Sequence, residues 1–135
     1  MRLSEAIRMG TLMGSQAFRT LVTGDGTCAW GAALLAVGAA SERTVRSTAR
    51  QRWPWAFGVS ANCPGCGRSR LICEVIAHLN DDHRWTRERI GVWVAEIEPA
   101  NAHPPEDARH ARGLSAHERA HAGARDAAGG EGGAT

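Results

Sequence analysis

The chain has 135 residues and a formal net charge of +2, so it has room for one domain, and its bulk charge does not by itself identify a nucleic-acid binder. The longest apolar run, from Ala29 to Ala40, is too short to cross a bilayer. The N-terminus also lacks the uninterrupted apolar segment of a signal peptide. We therefore expect a soluble, cytoplasmic protein without a membrane association, whose four cysteines are reduced thiols or metal ligands rather than disulfides.

Apolar residues recur at helical spacing in several short segments. Ser4 is a candidate cap for a first helix, and a second is predicted over residues 28–37. Another covers about residues 71–80, and the last begins after Thr86 and is stopped by Pro99. The pattern predicts a mainly α fold, a compact array of four to five short helices. A short hairpin around residues 55–63 would make the class α+β instead.

The composition changes after Glu98, where large apolar residues almost vanish. A segment of this kind cannot bury enough surface to offset the entropy lost on folding. We therefore predict a small domain at residues 1–98 and a disordered tail, rich in Ala, Gly, Arg and His, at residues 99–135.

Four residues in the middle of the chain have the spacing of a zinc site. Cys63 and Cys66 are separated by two residues, and His78 and His83 follow with four residues between them, close to the spacing of Cys₂His₂ sites. Thiolates and neutral imidazoles are the ligands that Zn²⁺ prefers, and a tight turn between the cysteines would aim both sulfurs at one point. The spacing predicts a Zn²⁺ ion that holds the cysteine turn against a helix–turn–helix segment.

Two alternatives to this ligand set stay open. Cys73 could replace one histidine in a Cys₃His site, although on the predicted helix it lies well around the axis from His78. The other interpretation has no metal, with free thiols in a loop and histidines in ordinary hydrogen bonds. The segment between Cys66 and His78 also lacks the hydrophobic signature of a ββα finger, so we do not predict a finger that reads the major groove.

Cys28 follows a glycine-rich turn and opens a predicted helix, which is where cysteine hydrolases place a nucleophile. His83 could serve as its base, with Asp82 or Asn80 orienting the imidazole. However, Cys28 also lies on one face with small apolar residues, which is typical of a core cysteine. A cysteine hydrolase is therefore a remote alternative, and we predict no catalytic residues.

The segment between Ser41 and Trp55 combines arginines with tryptophans. If residues 42–51 are helical, three of the arginines form one basic stripe, which could contact phosphates while a neighbouring indole stacks on a base. A solvated helix face followed by core tryptophans is the competing interpretation. The candidate nucleic-acid-binding residues are Arg43, Arg46, Arg50, Arg52, Trp53 and Trp55.

One long stretch resembles small uncharacterised proteins of bacteria and their phages. It runs His78-Leu79-Asn80-Asp81-Asp82-His83-Arg84-Trp85-Thr86-Arg87-Glu88-Arg89-Ile90, with residues 3–8 and 26–33 upstream. The resemblance spans most of residues 3–97 and implies an architecture and a phage or mobile-element context, without a reaction.

These observations lead to two functional hypotheses. The first is a non-enzymatic, small zinc-binding module that binds nucleic acid or a transcription-related partner. The second is a protein–protein adaptor that does not bind nucleic acid. The oligomeric state is not predicted.

Overall fold

The computed structural model describes residues 1–39 and 44–102, which form five α-helices and five short strands. The helices are α1 (Leu3–Gly10), α2 (Ala29–Ala36), α3 (Val45–Arg52), α4 (Ile72–Asp81) and α5 (Arg87–Ile97). The strands are β1 (Ser15–Gln16), β2 (Val22–Thr23), β3 (Gly26–Thr27), β4 (Ser60–Asn62) and β5 (Ser69–Leu71). Two 3₁₀ turns, at Thr11–Met13 and Pro54–Phe57, join these elements. Arg43 and residues 103–135, which hold most of the predicted disordered tail, lie outside the described residues.

The core is built on a close contact between α1 and α2. Gly10 lies directly against the backbone of Ala32, where any side chain would collide with the helix opposite. The small residues of α2 allow this approach, which explains why that helix is buried on most of its surface. The largest fully buried side chains around this contact belong to α1, α2, α4, α5 and the segment after α3: Leu3, Ile7, Leu34, Trp53, Ile72, Ile76, Leu79 and Ile90.

A buried carboxylate joins the two ends of the domain. Glu98, directly after α5, accepts hydrogen bonds from the Leu3 backbone N–H at 2.6 Å and from the Ser4 hydroxyl at 2.6 Å. It also accepts from Arg2 Nε at 3.2 Å. The prediction that Ser4 caps α1 was wrong, because Ser4 lies inside the helix and the acceptor for the first backbone donors comes from residue 98.

A small three-stranded sheet, in the order β1-β3-β2, lies between α1 and α2 in the sequence. β1 pairs with β3 in parallel and β2 pairs with β3 antiparallel. The buried guanidinium of Arg87 donates to the Thr27 hydroxyl at 2.6 Å and to the Gly14 carbonyl at 2.5 Å. The start of α5 is thereby fixed to this sheet.

β4 and β5 form an antiparallel hairpin that runs directly into α4. Ala61 pairs with Arg70, and the Ile72 N–H donates to the Val59 carbonyl at 3.0 Å. The prediction of four to five short helices is confirmed, and the α+β alternative is the one that the structure takes. The hairpin lies at residues 60–71 rather than around 55–63.

The described residues belong to one compact unit, Met1–His103. Within residues 1–39 and 44–102, no helix combines the length and the apolar character needed to cross a membrane.

Candidate metal centre

The turn between β4 and β5 carries the two cysteines of the predicted site. The Cys63 carbonyl accepts from the N–H groups of Cys66 at 3.3 Å and Gly67 at 2.7 Å. The Cys63 N–H donates to the Arg68 carbonyl at 2.8 Å, which closes the turn from the other side. Gly67 has a φ of +74°, a conformation that glycine adopts without steric cost. The backbone therefore curls around the two sulfurs and holds them together.

The two histidines come from the C-terminal end of α4 and the turn after it. His78 is on the last turn of the helix, which ends at Asp81. The His83 N–H donates to the His78 carbonyl at 3.2 Å, so the chain folds back toward the helix instead of continuing it. The next residue, Arg84, has a φ of +56° and completes the reversal. This local geometry places the two imidazole rings edge to face, with centroids 4.6 Å apart.

These four side chains converge on one point. The Sγ atoms of Cys63 and Cys66 and one ring nitrogen each of His78 and His83 all lie within 4.8 Å of one another. Sγ of Cys66 is 3.5 Å from Nε2 of His78. In a tetrahedral zinc site, bond lengths of about 2.0–2.3 Å put neighbouring ligand atoms roughly 3.5 Å apart. The predicted residues are therefore close enough to hold a metal ion, and their donor set suits zinc.

Two further observations fit a metal at this point. Nε2 of His83 is buried and has no hydrogen-bond partner among the described residues, whereas buried polar atoms are normally satisfied. Gly65 faces the ring of His83 so closely that a Cβ there would lie 2.7–2.8 Å from three ring atoms. The turn therefore packs closely against the imidazole of His83, one ring nitrogen of which belongs to the cluster.

The other ring nitrogen of His78 is fixed by an acid. Nδ1 of His78 lies 2.5 Å from Oδ2 of Asp82, four residues further along the chain. The hydrogen bond from His78 lowers the pKa of the Asp82 carboxyl. The ionised carboxylate holds the proton on Nδ1, which leaves the lone pair of Nε2 directed at Cys66.

The two cysteines differ in exposure and chemistry. Cys63 is only 1% exposed, whereas Cys66 lies at the surface. The backbone N–H of Arg68, together with the imidazoles of His83 and His78, lowers the pKa of the Cys66 thiol to about 6. A thiolate is the form that binds a metal, and at neutral pH Cys66 is therefore largely in that form.

Cys73, the alternative ligand, lies outside the group of four. Burial raises the pKa of its thiol, and its backbone carbonyl accepts from Trp30 Nε1 at 3.1 Å. Among the described residues, the geometry therefore favours the Cys₂His₂ set over the Cys₃His set.

Cys28 does not have the surroundings of a nucleophile. Its Sγ accepts from the Gly31 N–H at 3.4 Å as the cap of α2, and burial raises the pKa of its thiol. It lines a cavity of about 200 Å³ beside Asn80. Asn80 is fully buried and already bonded to Gln16 and Ala29, while His83 belongs to the metal cluster. Within residues 1–39 and 44–102, no imidazole is paired with the Cys28 thiol.

The candidate nucleic-acid-binding residues differ in their exposure to solvent. Arg46 and Arg50 are exposed on α3, and Arg52 is half-buried. Trp53 is fully buried, with its ring centroid 6.2 Å from that of Trp30. Its indole is a core side chain, so it is not available to stack on a base. In a small domain with few large aromatic residues, a tryptophan is expected to fill the core. The arginines near Trp53 in the sequence suggested an exposed surface instead.

Trp55, the second candidate, is half-buried, and its Nε1 is buried without a hydrogen-bond partner among the described residues. It retains some accessible surface, in contrast to Trp53.

The order β4, β5, α4 is that of a ββα unit, with the cysteines in the hairpin turn and the histidines at the helix end. The sequence did not predict this unit, because its strands are only three residues long. Residues −1, 3 and 6 of a base-reading finger helix correspond to Leu71, Glu74 and Ala77 here. Two of these side chains have no polar group with which to read a base.

The fold and the cluster thus define a small α+β domain with a Cys₂His₂ group on a ββα unit. Comparisons with protein-family models, curated proteins and solved structures gave no match.

Proposed function

We propose that this protein is a non-enzymatic zinc-binding module in which the ion holds the hairpin β4–β5 against the end of α4. The observation that carries the proposal is the convergence of four donor atoms, one from each side chain, within 4.8 Å of one another. The buried Nε2 of His83, which has no hydrogen-bond partner among residues 1–39 and 44–102, supports it. Four protein ligands fill a tetrahedral zinc site and leave no open position for water or substrate. This favours a structural role for the ion over a catalytic one.

The ion would stabilise a hairpin that is too short to be stable by itself. Its strands have three residues each, and an isolated two-stranded hairpin is marginally stable in water. Binding of zinc to Cys63, Cys66, His78 and His83 would join the turn to the helix and contribute its binding free energy to folding.

Cobalt substitution tests this coordination directly. Co²⁺ added to metal-free protein is expected to give the strong visible absorption of tetrahedral coordination and a sulfur-to-cobalt charge-transfer band. Zn²⁺ should displace the cobalt and thereby remove both absorption features. Cys63→Ser should reduce the charge-transfer band. A weak, octahedral-type spectrum would contradict the proposal.

The module would bind nucleic acid through the arginines on and around α3. Arg46 and Arg50 support this, because they are exposed one helical turn apart and form no ion pair with any described residue. Arg43 and Arg52 extend the same basic segment, and Trp55 is the remaining candidate for stacking. Exposed guanidinium groups without a carboxylate partner are suited to phosphate.

Charge reversal tests the nucleic-acid part. Arg46→Glu with Arg50→Glu should weaken salt-sensitive binding to labelled DNA and RNA, because both phosphate contacts become repulsive. Arg8→Glu with Arg89→Glu, at two exposed positions outside α3, makes the same change in net charge elsewhere on the surface and is the control. Unchanged affinity in the double variant would contradict the assignment of α3.

Exposed apolar side chains support a second candidate, a protein–protein adaptor. Leu12 is 88% exposed, and Met9 and Met13 beside it are 50% and 58% exposed. A partner protein that binds here should be retained after nuclease treatment and lost on Leu12→Asp. A partner bridged by nucleic acid would be lost after nuclease treatment alone.

The resemblance to small bacterial and phage proteins extends the proposal to a phage or mobile-element context. Neighbouring genes for integration or packaging functions would support this origin, and a neighbourhood of ordinary housekeeping genes would contradict it.

A further inference from the structure

Charge is divided unevenly along the described part of the chain. Residues 44–73 hold five arginines and no carboxylate. The flanking described segments, residues 1–39 and 74–102, hold six arginines and eight carboxylates. The excess of positive charge in the domain therefore belongs to one continuous stretch, which is a stronger signal than the net charge of the whole chain.

This basic stretch forms α3, the 3₁₀ turn and the hairpin, joined by direct contacts. The guanidinium of Arg50 lies over the ring of Phe57, 5.4 Å from its centroid. The Val59 N–H donates to the Trp55 carbonyl at 3.0 Å and thereby connects the 3₁₀ turn to β4. The hairpin at the far end adds Arg68, which is exposed, and Arg70, which is half-buried. Neither forms an ion pair with a residue in the described ranges.

Arg68 is attached to the candidate metal centre through its backbone. Its carbonyl accepts from the Cys63 N–H at 2.8 Å. The position of Arg68 is therefore set by the same turn that holds both sulfurs. Arg70 lies two residues further on, in β5, paired with Ala61.

We propose that Arg68 and Arg70 form a second phosphate-contacting surface, held in place by the metal centre and continuous with the α3 arginines. This inference rests on the proposed binding of nucleic acid and names the residues and the chemistry of the contact. The ligand group is the phosphodiester backbone. The hairpin carries its two guanidinium groups beside small residues such as Ser69 and Gly67, and none of residues 60–71 is acidic.

The dependence of binding affinity on salt concentration reports the number of phosphate contacts that the protein makes. For duplex DNA, the slope of log K against log salt falls by about 0.9 for each phosphate contact removed, and by about 0.7 for single strands. Loss of two contacts at Arg68 and Arg70 should therefore flatten the slope by about 1.8 on a duplex and about 1.4 on a single strand.

The experiment uses the full chain loaded with zinc and a fluorescent oligonucleotide, single-stranded or duplex, titrated at several salt concentrations. Arg68→Ala with Arg70→Ala is compared with Arg8→Ala with Arg89→Ala, a matched pair of exposed arginines outside the basic stretch and not adjacent in sequence to any of the four proposed ligands. Zinc content is measured for each variant. The hairpin variant should retain its zinc, bind more weakly and show the flatter slope, while the control pair keeps the wild-type slope.

Three other results would contradict the proposed contacts of Arg68 and Arg70. If the wild type does not bind either oligonucleotide at low salt, the nucleic-acid part of the proposed function is wrong, and this inference with it. If the wild type binds and Arg46→Glu with Arg50→Glu weakens it, but the hairpin variant keeps the wild-type slope, only this inference is overturned. An equal change of slope in the control pair would show a response to bulk charge and would also overturn it.

Discussion

Nδ1 of His78 lies 2.5 Å from the carboxylate of Asp82, while Nε2 of the same ring lies 3.5 Å from Sγ of Cys66. The imidazole is thus held between an acid outside the cluster and a sulfur inside it. Groups that fix the far nitrogen of a ligating histidine set its tautomer and orientation, and their loss typically costs 10–100-fold in metal affinity.

Asp82→Ala should therefore weaken zinc binding by about tenfold or more, measured by competition with a chromophoric chelator. Asp82→Asn should have a smaller effect, because its amide oxygen can still accept from Nδ1. Glu88→Gln, an exposed acid in the first turn of α5, is the control and should bind zinc like the wild type. Equal affinities in Asp82→Ala and wild type would show that the acid does not position His78.

Gly65→Ala should damage the site by displacing His83. The new Cβ would lie 2.7 Å from a ring carbon and 2.8 Å from Nε2, so the ring must move away from the sulfurs. We expect a loss of zinc affinity of about tenfold or more, comparable to losing an orienting contact. Gly58→Ala is the matched control, since its nearest neighbour would be 4.0 Å away. A Gly65→Ala protein that binds zinc normally would contradict the described packing.

The thiols should react in a definite order in the metal-free protein. Cys66 is exposed, and hydrogen bonds lower the pKa of its thiol to about 6, so its alkylation should rise with pH around 6 rather than around 9. Burial raises the pKa of the Cys28 and Cys73 thiols, so both should react more slowly at pH 7. Mass spectrometry of iodoacetamide-treated protein gives the order, and zinc should protect Cys66. Fastest labelling of Cys28 would instead favour the hydrolase alternative.

Glu98→Gln should destabilise the domain without touching the metal cluster. The carboxylate accepts from the Leu3 N–H and the Ser4 hydroxyl, both at 2.6 Å, and an amide cannot replace every bond at this buried position. We expect the free energy of unfolding in urea to fall by about 1–3 kcal/mol. Glu96→Gln, two residues earlier and exposed, should change it by less than about 0.5 kcal/mol. Similar losses in both variants would contradict a specific role for Glu98.

The parts of the fold that the sequence predicted are those with local signals. Thr86 was predicted to precede the last helix, and its hydroxyl does accept from the Arg89 N–H at 3.2 Å as the cap of α5. The apolar spacing of α4 also placed that helix correctly, because Ile72, Val75 and Ile76 all face the core.

Other features depend on partners that are distant in sequence. The acceptor for the first turn of α1 is Glu98, more than 90 residues away, and no local pattern indicates such a pairing. The strands β1, β2 and β3 have two residues each, too few to show an alternating pattern. Trp53 was misassigned because its flanking arginines resemble an exposed surface, whereas its indole completes the core beside Trp30.

The candidate site was more predictable than the fold around it. Ligand spacing is a local property of the sequence, so Cys63, Cys66, His78 and His83 could be grouped before the hairpin was recognised. The contributions of Asp82 and Gly65 were not predicted, since they depend on how the imidazole rings are oriented after folding.

Metal content tests the central claim most directly. Protein purified without a His tag, from zinc-supplemented medium, should contain one zinc per chain in the wild type and in Cys73→Ser. Cys63→Ser and His83→Ala should contain none, and both should unfold at a lower urea concentration than the zinc-loaded wild type. A wild type that is folded and zinc-free, or variants at Cys63 and His83 that retain the ion, would contradict the account.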